Sequence, residues 1–380
     1  MRIAVLSRNF SPACGGAERY SVALAKELSK HHEIHVYCQE TNFPVSGITY
    51  HHVLRIHKRP RWLNQWLFSS LTWLLTRNQF DIVHSHEHVW HGNVHTLHVR
   101  CVWASIFEDR HRWKLALRWL QVFTSLRHIT YLWLESARIR DKANHGLVFV
   151  SDKLRDEFTI HYSDIASRSI VVTPGVYLPD SLKPRDESRH KLNWADNQIY
   201  LLFVANDYER KGLSVLLKAL KKLKSSIMLA VVGQSKQLTK FEMQVKQLGL
   251  TDRVQFYGQQ EDLSTFYRAA DLLVHPTLED SFGMVILEAM AQELPVLVSA
   301  FPYCGLAYQF SEGVHAKLIA DPLNAEQLAD LIQNLLNDPP LQKILITNGL
   351  EIARSATWED VALKYENYFL RIAKAKEAKK

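Results

Sequence analysis

Two carboxylates eight residues apart, Asp280 and Glu288, lie in the segment DSFGMVILEAMA (280–291). Glu288 is the one charge in an apolar stretch, and such a carboxylate is costly to bury unless hydrogen-bond donors satisfy it. Gly283 lets a ligand approach the start of the expected helix, where free N–H groups favour phosphate. The pattern predicts a site for a ligand with hydroxyl and phosphate groups. It is equally compatible with a helix capped by Asp280 or Ser281, with Glu288 paired to a cation.

A second candidate is the loop Arg210-Lys211-Gly212, which follows an apolar strand at 199–205 and precedes a helix at 212–223. Open α/β sheets bind ligands at the carboxyl ends of their strands, and Arg and Lys there can neutralise a diphosphate. Taken alone, such a loop is more often a solvated basic turn that ends in glycine.

Gly15 and Gly16 follow the first apolar strand (2–7) in the segment SPACGG. Paired glycines allow the backbone to approach an anion closely, although an ordinary turn has the same composition. The chain contains neither G-x-G-x-x-G nor a Walker A sequence, which argues against a dinucleotide-binding or ATPase function.

Six histidines fill the segment HSHEHVWHGNVHTLH (84–98). No set of cysteines or carboxylates completes a ligand shell around them, so we expect no metal site. A single histidine near the ligand is the favoured interpretation.

Two stretches, 57–78 and 110–140, interleave Arg and Lys with Trp and Leu. Basic amphipathic helices with Trp bind anionic membrane surfaces, but the same pattern describes core helices with a solvated cationic face. Both interpretations remain open. Nucleic acid is not an expected partner because no nucleic-acid-binding motif accompanies the basic residues.

Short apolar strands alternate with amphipathic helices along the whole chain, as in a parallel sheet covered on both faces. The 380 residues predict two domains. Residues 1–180 contain 22 Lys and Arg against 15 Asp and Glu, whereas the rest is balanced. We predict an α/β chain of two Rossmann-like domains facing each other across a cleft: 1–180, 181–356 and a final helix, 357–380, that returns to the first domain.

The four cysteines are widely spaced, and no uninterrupted apolar run reaches about 18 residues. The opening segment MRIAVLSRNFSP has an apolar run too short for a signal peptide, so none is expected. We therefore expect reduced thiols and no membrane-spanning helix.

These segments together resemble the retaining GT-B glycosyltransferases of family 4. Asp280 and Glu288 occupy the positions of the family's E-x7-E motif, with Asp in place of the first Glu. The other resembling segments are Arg210-Lys211-Gly212, VVGQ (231–234), VQFYG (254–258), GLVFVSDKLRDEF (146–158), the T-x-H at 96–98, and the helix that begins at Trp358.

The resemblance implies a role for each candidate. Glu288 would hold the ribose hydroxyls of a nucleotide-sugar donor, and Asp280 the hydroxyls of its sugar. His98 would lie near the reacting carbon or the acceptor, with His95 as the alternative. The residues implied to contact the diphosphate are Gly15, Gly16, Arg210, Lys211, Gly283, Met284 and Val285. No D-x-D sequence is present, so neither a metal nor another cofactor is expected.

Within the family, the segments TPGVYLPD (173–180), YLWLESARIR (131–140) and CGLAYQF (304–310) are most similar to the lipopolysaccharide-core glucosyltransferases. This implies transfer of a hexose, glucose, from a UDP-sugar to a heptose of the core. It also implies a location at the cytoplasmic face of the inner membrane, on an anionic lipid surface. The alternatives are another donor or acceptor, such as a capsular or glycolipid sugar, and a GT-B-fold nucleotide-sugar epimerase.

Overall fold

The computed structural model describes residues 1–11, 15–42, 44–56, 60–107, 119, 122, 124–140 and 145–377. Its contacts divide the chain into two units. Unit 1 contains Met1–Pro174 and Trp358–Lys380, and unit 2 contains Gly175–Thr357. Four parts of the segments discussed above lie outside the described residues: 12–14 of SPACGG, 57–59 of the first basic stretch, 110–118, 120, 121 and 123 of the second, and 378–380 of the final helix.

Unit 1 is built on a parallel sheet. Its strands are β1 (Arg2–Leu6), β2 (Asn9–Phe10), β3 (Glu33–Cys38), β4 (Glu40–Thr41), β5 (Ile48–His52), β6 (Ile82–Ser85), β7 (Val94–Leu97), β8 (Gly146–Phe149) and β9 (Ser169–Val171). Seven of them form one sheet in the order β5-β3-β1-β6-β7-β8-β9, and β2 pairs separately with β4. The central strands are buried on both faces, which explains the largely apolar composition of β1 and β8. The strand β6 is also buried throughout, but it ends in His84 and Ser85.

Helices connect these strands. They are α1 (Gly16–Leu28), α2 (Arg61–Thr76), α3 (Val102–Phe107), α4 (Leu126–Ile139) and α5 (Asp152–His161), with a 3-10 helix at Ser163–Arg168. Ser125 and Ser151 cap α4 and α5, because each hydroxyl accepts a hydrogen bond from a backbone N–H of the first turn.

Unit 2 repeats the architecture. Its strands are β10 (Ile199–Val204), β11 (Ile227–Val232), β12 (Val254–Gly258), β13 (Leu272–His275), β14 (Val296–Ser299) and β15 (Lys317–Ile319). They form one parallel sheet in the order β12-β11-β10-β13-β14-β15. Its helices are α6 (Arg185–Leu192), α7 (Leu213–Lys222), α8 (Leu238–Leu248), α9 (Ser264–Ala269), α10 (Met284–Ala291), α11 (Ala325–Leu336) and α12 (Pro339–Arg354), with a 3-10 helix at Leu306–Gln309. The prediction of two Rossmann-like α/β domains is confirmed.

The strand order reverses at one place in each large sheet. In unit 1 the neighbours at this switch point are β1 and β6, and in unit 2 they are β10 and β13. The loops that follow such strands diverge, and the crevice between them is where open α/β sheets bind ligands. Both loops of the unit 2 crevice carry residues that the sequence singles out.

The last helix, α13 (Trp358–Glu377), packs on unit 1. The Tyr365 hydroxyl lies 3.0 Å from that of Tyr20 on α1 and 2.7 Å from that of Thr96 on β7. Trp358 packs edge-on against Tyr20. These buried contacts tie the end of the chain to the first sheet.

The exposed face of α2 is more apolar than its buried face. Five large apolar side chains of the helix are exposed: Leu63, Trp66, Trp73, Leu74 and Leu75. The buried side chains are mostly polar: Asn64, Gln65, Phe68, Ser69, Thr72 and Thr76. The amphipathic pattern of 57–78 therefore does not describe a helix whose Trp and Leu all lie in the core. Trp90 continues this surface, with its ring 6.0 Å from Trp66 and 5.5 Å from the exposed Trp133 of α4.

Candidate active site

The loop after β10 and the loop after β13 approach each other closely in unit 2. Gly212, with φ +80°, is the point of closest approach, and a Cβ there would lie 1.9 Å from the carbonyl oxygen of Pro276. The N–H of Leu278 also donates to the carbonyl of Arg210 over 2.9 Å. Only glycine fits this position, so the Gly of Arg210-Lys211-Gly212 serves to bring the two loops together.

Lys211 and Asp280 form an ion pair across the two loops. The Nζ of Lys211 lies 2.5 Å from Oδ2 of Asp280, and both side chains are less than one-fifth exposed. The Nε2 of His275, at the end of β13, lies 3.0 Å from the same carboxylate oxygen. The other oxygen of Asp280 accepts from the N–H of Phe282 over 3.2 Å. Asp280 is thus fixed from three sides.

The ionisation states of this group follow from burial and from the pairing. Burial raises the pKa of Asp280, but the Lys211 ammonium and then His275 outweigh it, so the pKa lies below the usual range. Burial lowers the pKa of His275 more than Asp280 raises it. Near neutral pH, Asp280 is therefore an anion and His275 a neutral ring. We infer that the Nε2 of His275 carries the proton that is donated to the carboxylate.

The helix α10 begins beside this ion pair. Gly283 is its N-cap, with φ +106°, and no side chain caps the helix. The alternative interpretation, a cap by Asp280 or Ser281, is therefore wrong: the Asp280 carboxylate accepts a hydrogen bond from the N–H of Phe282, one residue before the cap. The first turn, which includes Met284 and Val285, carries the positive end of the helix dipole.

Glu288 lies one turn further along α10 and is half-buried. The hydroxyl of Tyr267, a buried residue of α9, donates to its Oε2 over 2.8 Å. Glu288 thus receives a hydrogen bond from the protein, which lowers the cost of partly burying its carboxylate on an apolar helix. Asp280, Lys211, Gly283 and Glu288 all belong to the crevice edge of the unit 2 sheet, whereas Arg210 is half-exposed and 3.5 Å from Asp207.

The candidates of unit 1 lie near the carboxyl edge of its own sheet. Gly15 is the N-cap of α1 in an extended conformation, and Gly16 begins the helix. His98 directly follows β7, is half-buried, and has its Nε2 2.9 Å from Nδ1 of His86. His95 lies inside β7 and is fully buried. Between the two alternatives, the position after the strand favours His98 as the residue that a ligand reaches.

Burial lowers the pKa values of five histidines of the segment 84–98: His84, His86, His88, His95 and His98. Burial, followed by the nearby Arg138 guanidinium, lowers the pKa of His98 to about 3. Burial, followed by His98, lowers the pKa of His84 to about 3. Across the described ranges, His, Cys, Asp and Glu side chains form no cluster of three or more suited to a metal ion.

Two residues of the unit 2 site were missed by the sequence reasoning. They are His275 and Tyr267. The carboxyl end of a strand in the crevice is a signal for His275. The sequence contains no comparable signal for Tyr267, because its hydroxyl contacts a residue 21 positions away, Glu288, on a different helix.

Comparison with known proteins gives the family. Residues 14–178 match Glycosyltransferase Family 4, and residues 184–351 match Glycosyl transferases group 1. The chain belongs to the family 4 and group 1 glycosyltransferases with the GT-B fold. Within the described residues, no helix of this glycosyltransferase has the length and hydropathy needed to span a bilayer.

WaaG is found both by sequence comparison and by structural comparison. The lipopolysaccharide glucosyltransferase WaaG of Escherichia coli K12 is 32% identical over 239 residues, which cover 60% of this chain and 62% of WaaG. The crystal structure of WaaG, a glycosyltransferase involved in lipopolysaccharide biosynthesis, superposes with a TM-score of 0.82 at 25% identity. That superposition covers 96% of this chain and 98% of WaaG. The chain thus aligns in sequence with about three-fifths of its curated relative.

A more distant neighbour was crystallised with a nucleotide sugar. The Anabaena protein HepE, in complex with UDP-glucose, superposes on this glycosyltransferase with a TM-score of 0.74 at 19% identity over the full length of both chains. At this identity the similarity concerns the fold.

Proposed function

We propose that the protein is a retaining glucosyltransferase that transfers glucose from UDP-glucose to a heptose of the lipopolysaccharide core. The observation that carries the proposal is the meeting of Lys211, Asp280 and the start of α10 at the unit 2 switch point. This arrangement supplies a cation, a hydroxyl acceptor and a helix dipole in one crevice. The similarity to WaaG supports the choice of donor and acceptor.

The donor is assigned to the unit 2 crevice. Glu288, already oriented by Tyr267, would accept hydrogen bonds from the ribose hydroxyls. Asp280 would accept them from hydroxyls of the glucose. Because Asp280 is bonded to His275 and the N–H of Phe282 as well as to Lys211, its carboxylate keeps its position when Lys211 turns to a phosphate.

The charge of the departing diphosphate is met by fixed groups of the same crevice. These groups are Lys211, the half-exposed Arg210, and the N-terminus of α10 at Gly283, Met284 and Val285. Positive groups aimed at developing negative charge lower the barrier, because they need no reorganisation during the reaction. We propose that this binding requires no metal ion.

Transfer with retention breaks the bond between C1 of glucose and the β-phosphate oxygen and forms a bond from C1 to the acceptor hydroxyl. The acceptor's proton passes to the departing phosphate oxygen, and UDP is released. The low pKa of His98 makes its ring neutral, so it can position a hydroxyl by hydrogen bonding without adding charge.

The acceptor is assigned to unit 1, on a lipid surface. The exposed Trp and Leu side chains of α2 form an apolar face, and Arg61 and Arg77 flank it as exposed cations. Helices of this composition bind anionic membranes. We therefore propose peripheral binding to the cytoplasmic face of the inner membrane.

Calorimetric titration of the full chain with UDP-glucose, UDP-galactose, UDP-GlcNAc, GDP-mannose and ADP-heptose tests the donor assignment, in EDTA and in Mg²⁺. We expect UDP-glucose to bind equally well in both buffers. Lys211→Met should weaken its binding about tenfold or more, since hydrogen bonds to charged groups contribute about 1.5–3 kcal/mol. The matched control is Lys218→Met, an exposed residue of α7. If another nucleotide sugar bound more tightly than UDP-glucose, the assignment of glucose as the transferred sugar would be wrong. Binding that required Mg²⁺ would contradict the metal-free site.

A further inference from the structure

Arg138, on α4, is a buried charge whose N–H groups are not all used. The side chain is 2% exposed. Within the described part of the chain, its Nε and Nη2 have no hydrogen-bond partner. Burial lowers the pKa of Arg138, but an arginine side chain stays protonated in a protein. A buried guanidinium with two unused donors is costly unless something else binds them.

Glu135, the carboxylate paired with Arg138 in the described part of the chain, does not supply those bonds. Its closest oxygen lies 3.8 Å from Nη2 of Arg138, beyond hydrogen-bonding distance. Four other donors occupy the carboxylate. They are the backbone N–H groups of Val102 and Trp103, the thiol of Cys101 and the hydroxyl of Tyr162, at 2.7–3.3 Å.

The second carboxylate whose charge acts on Arg138 is also occupied. Glu87 accepts from both the Nε and the backbone N–H of Arg8, over 3.0 and 3.1 Å. Two acidic residues of unit 1 are therefore near Arg138, and both are satisfied by other groups. The structure leaves the guanidinium as a cation available for an additional anion.

Two histidines at the carboxyl edge of the unit 1 sheet, His88 and His98, are close enough to Arg138 to be affected by its charge. Its charge lowers the pKa values of His88 and His98, two half-buried residues that come after β6 and β7. The Nε2 of His88 is likewise buried without a hydrogen-bond partner among the described residues. Burial keeps both rings neutral, so they can donate a hydrogen bond without repelling Arg138. This edge is adjacent to the switch point between β1 and β6.

We propose that Arg138, with His88, binds a phosphate monoester carried by the acceptor. A guanidinium matches phosphate oxygens in a bidentate geometry, and a buried one discriminates strongly against an acceptor without the phosphate. The assignment of this phosphate to a sugar acceptor rests on the proposed function, whereas the anion site itself does not.

The competing explanation is that Arg138 is a structural partner of Glu135. The variant Arg138→Met distinguishes the two explanations, because Met is unbranched and apolar and fills a similar space. Because Glu135 keeps its four hydrogen-bond donors, we expect Arg138→Met to fold, with a melting temperature within a few degrees of that of the parent chain. A fall of many degrees, or failure to fold, would overturn the proposal, and Arg138→Lys, which keeps a charge there, would then fold better.

Inorganic phosphate is the probe for the site itself. The full chain is first saturated with UDP so that the unit 2 crevice is filled, and the melting temperature is then followed against phosphate concentration. We expect phosphate to raise it for the parent chain and for Arg127→Met, an exposed control on the same helix, but not for Arg138→Met. Equal shifts in all three chains would overturn the proposal.

Steady-state kinetics with intact and phosphatase-treated heptose acceptors tests the substrate assignment. Arg138→Met should raise the KM for the phosphorylated acceptor at least tenfold and leave the KM for UDP-glucose unchanged. With the dephosphorylated acceptor, parent and variant should have the same KM. An equal loss on both acceptors would contradict the phosphate role. If no chain transfers glucose, the proposed function fails, and the phosphate titration still decides the anion site.

Discussion

The Nζ of Lys211 and the Oδ2 of Asp280, 2.5 Å apart, join the loops that follow β10 and β13. One residue comes from the basic loop that the sequence assigns to phosphate binding, and the other from the acidic loop assigned to the sugar. Their contact brings these two candidate residues together at the same crevice. A donor that spans phosphate and sugar would contact both residues, which links the charge of the leaving group to the recognition of the hexose.

The first prediction concerns Glu288. Glu288→Gln keeps the size of the side chain and removes its charge, so the ribose hydroxyls lose a charged acceptor. Affinity for UDP should fall by about 1.5–3 kcal/mol, or roughly tenfold to a hundredfold, as measured by calorimetry. Tyr267→Phe should give a smaller loss, because it removes only the group that orients Glu288. Glu351→Gln, an exposed change on α12, serves as the control, and an affinity for UDP equal to that of this control would remove Glu288 from the donor site.

The second prediction concerns Gly212. In Gly212→Ala the new Cβ would lie 1.9 Å from the Pro276 oxygen, and φ is +80°, so the two loops must separate. We expect a loss of more than about 2 kcal/mol in unfolding free energy and a marked loss of UDP-glucose binding. Gly249→Ala is the matched control, since φ is +69° there but the Cβ would meet open space. Denaturant unfolding compares them, and equal losses would show that strain alone, rather than the close approach, matters.

The third prediction is a pH dependence that arises in unit 1. His84 and His98 have pKa values of about 3 in the folded protein, well below the usual value near 6.5. The folded pKa is depressed, so between about pH 6.5 and 3 the unfolded chain binds protons that the folded chain does not. Stability therefore falls as the pH falls, by up to about 1.4 kcal/mol per pH unit for each histidine. His86, His88 and His95 are shifted in the same direction.

Urea unfolding at pH 7 and pH 5 measures this effect. His98→Gln should lose less stability between the two values than the parent chain, because it takes up one proton fewer. A stability independent of pH over this interval would mean that these rings take up protons in the folded state to the same extent as in the unfolded chain.

The fourth prediction concerns the exposed face of α2. Trp66 and Trp73 are 47% and 41% exposed, whereas Trp62 is half-buried and belongs to the packing of the helix. The double change Trp66→Ser and Trp73→Ser should reduce partition onto phosphatidylglycerol vesicles at least tenfold without lowering the melting temperature. Leu323→Ser, an exposed apolar residue of unit 2, is the control. Unchanged partition in a sedimentation assay would argue against membrane binding through α2.

Much of the fold could be predicted from the sequence, because parallel strands that are buried on both faces consist largely of consecutive apolar residues. Ile199–Val204 and Leu272–His275 are such runs, and the residues after them gave Arg210, Lys211 and Asp280 as candidates. The motif resemblance then related Asp280 to Glu288. These predictions depend on local composition and on the rule that ligands bind at strand ends.

Three features could not be predicted because they depend on contacts between distant segments. The pairing of Lys211 with Asp280 joins residues 69 positions apart in the chain. The burial of Arg138 cannot be predicted from the segment YLWLESARIR, because the spacing of its residues is compatible with Arg138 on either face of the helix. The orientation of α2 also cannot be predicted from the sequence pattern. An amphipathic pattern defines two faces of a helix but does not determine which face packs against the protein.

The most direct test of the central claim is the structure of the product. The purified chain is incubated with UDP-glucose and lipopolysaccharide whose core ends in heptose, and the new linkage is analysed by NMR while UDP release is followed. We expect one glucose per acceptor, α-linked to heptose as glucose is in the donor, formed in the presence of EDTA. A β-linked glucose, or UDP-hexose turnover that leaves the lipopolysaccharide unchanged, would contradict it.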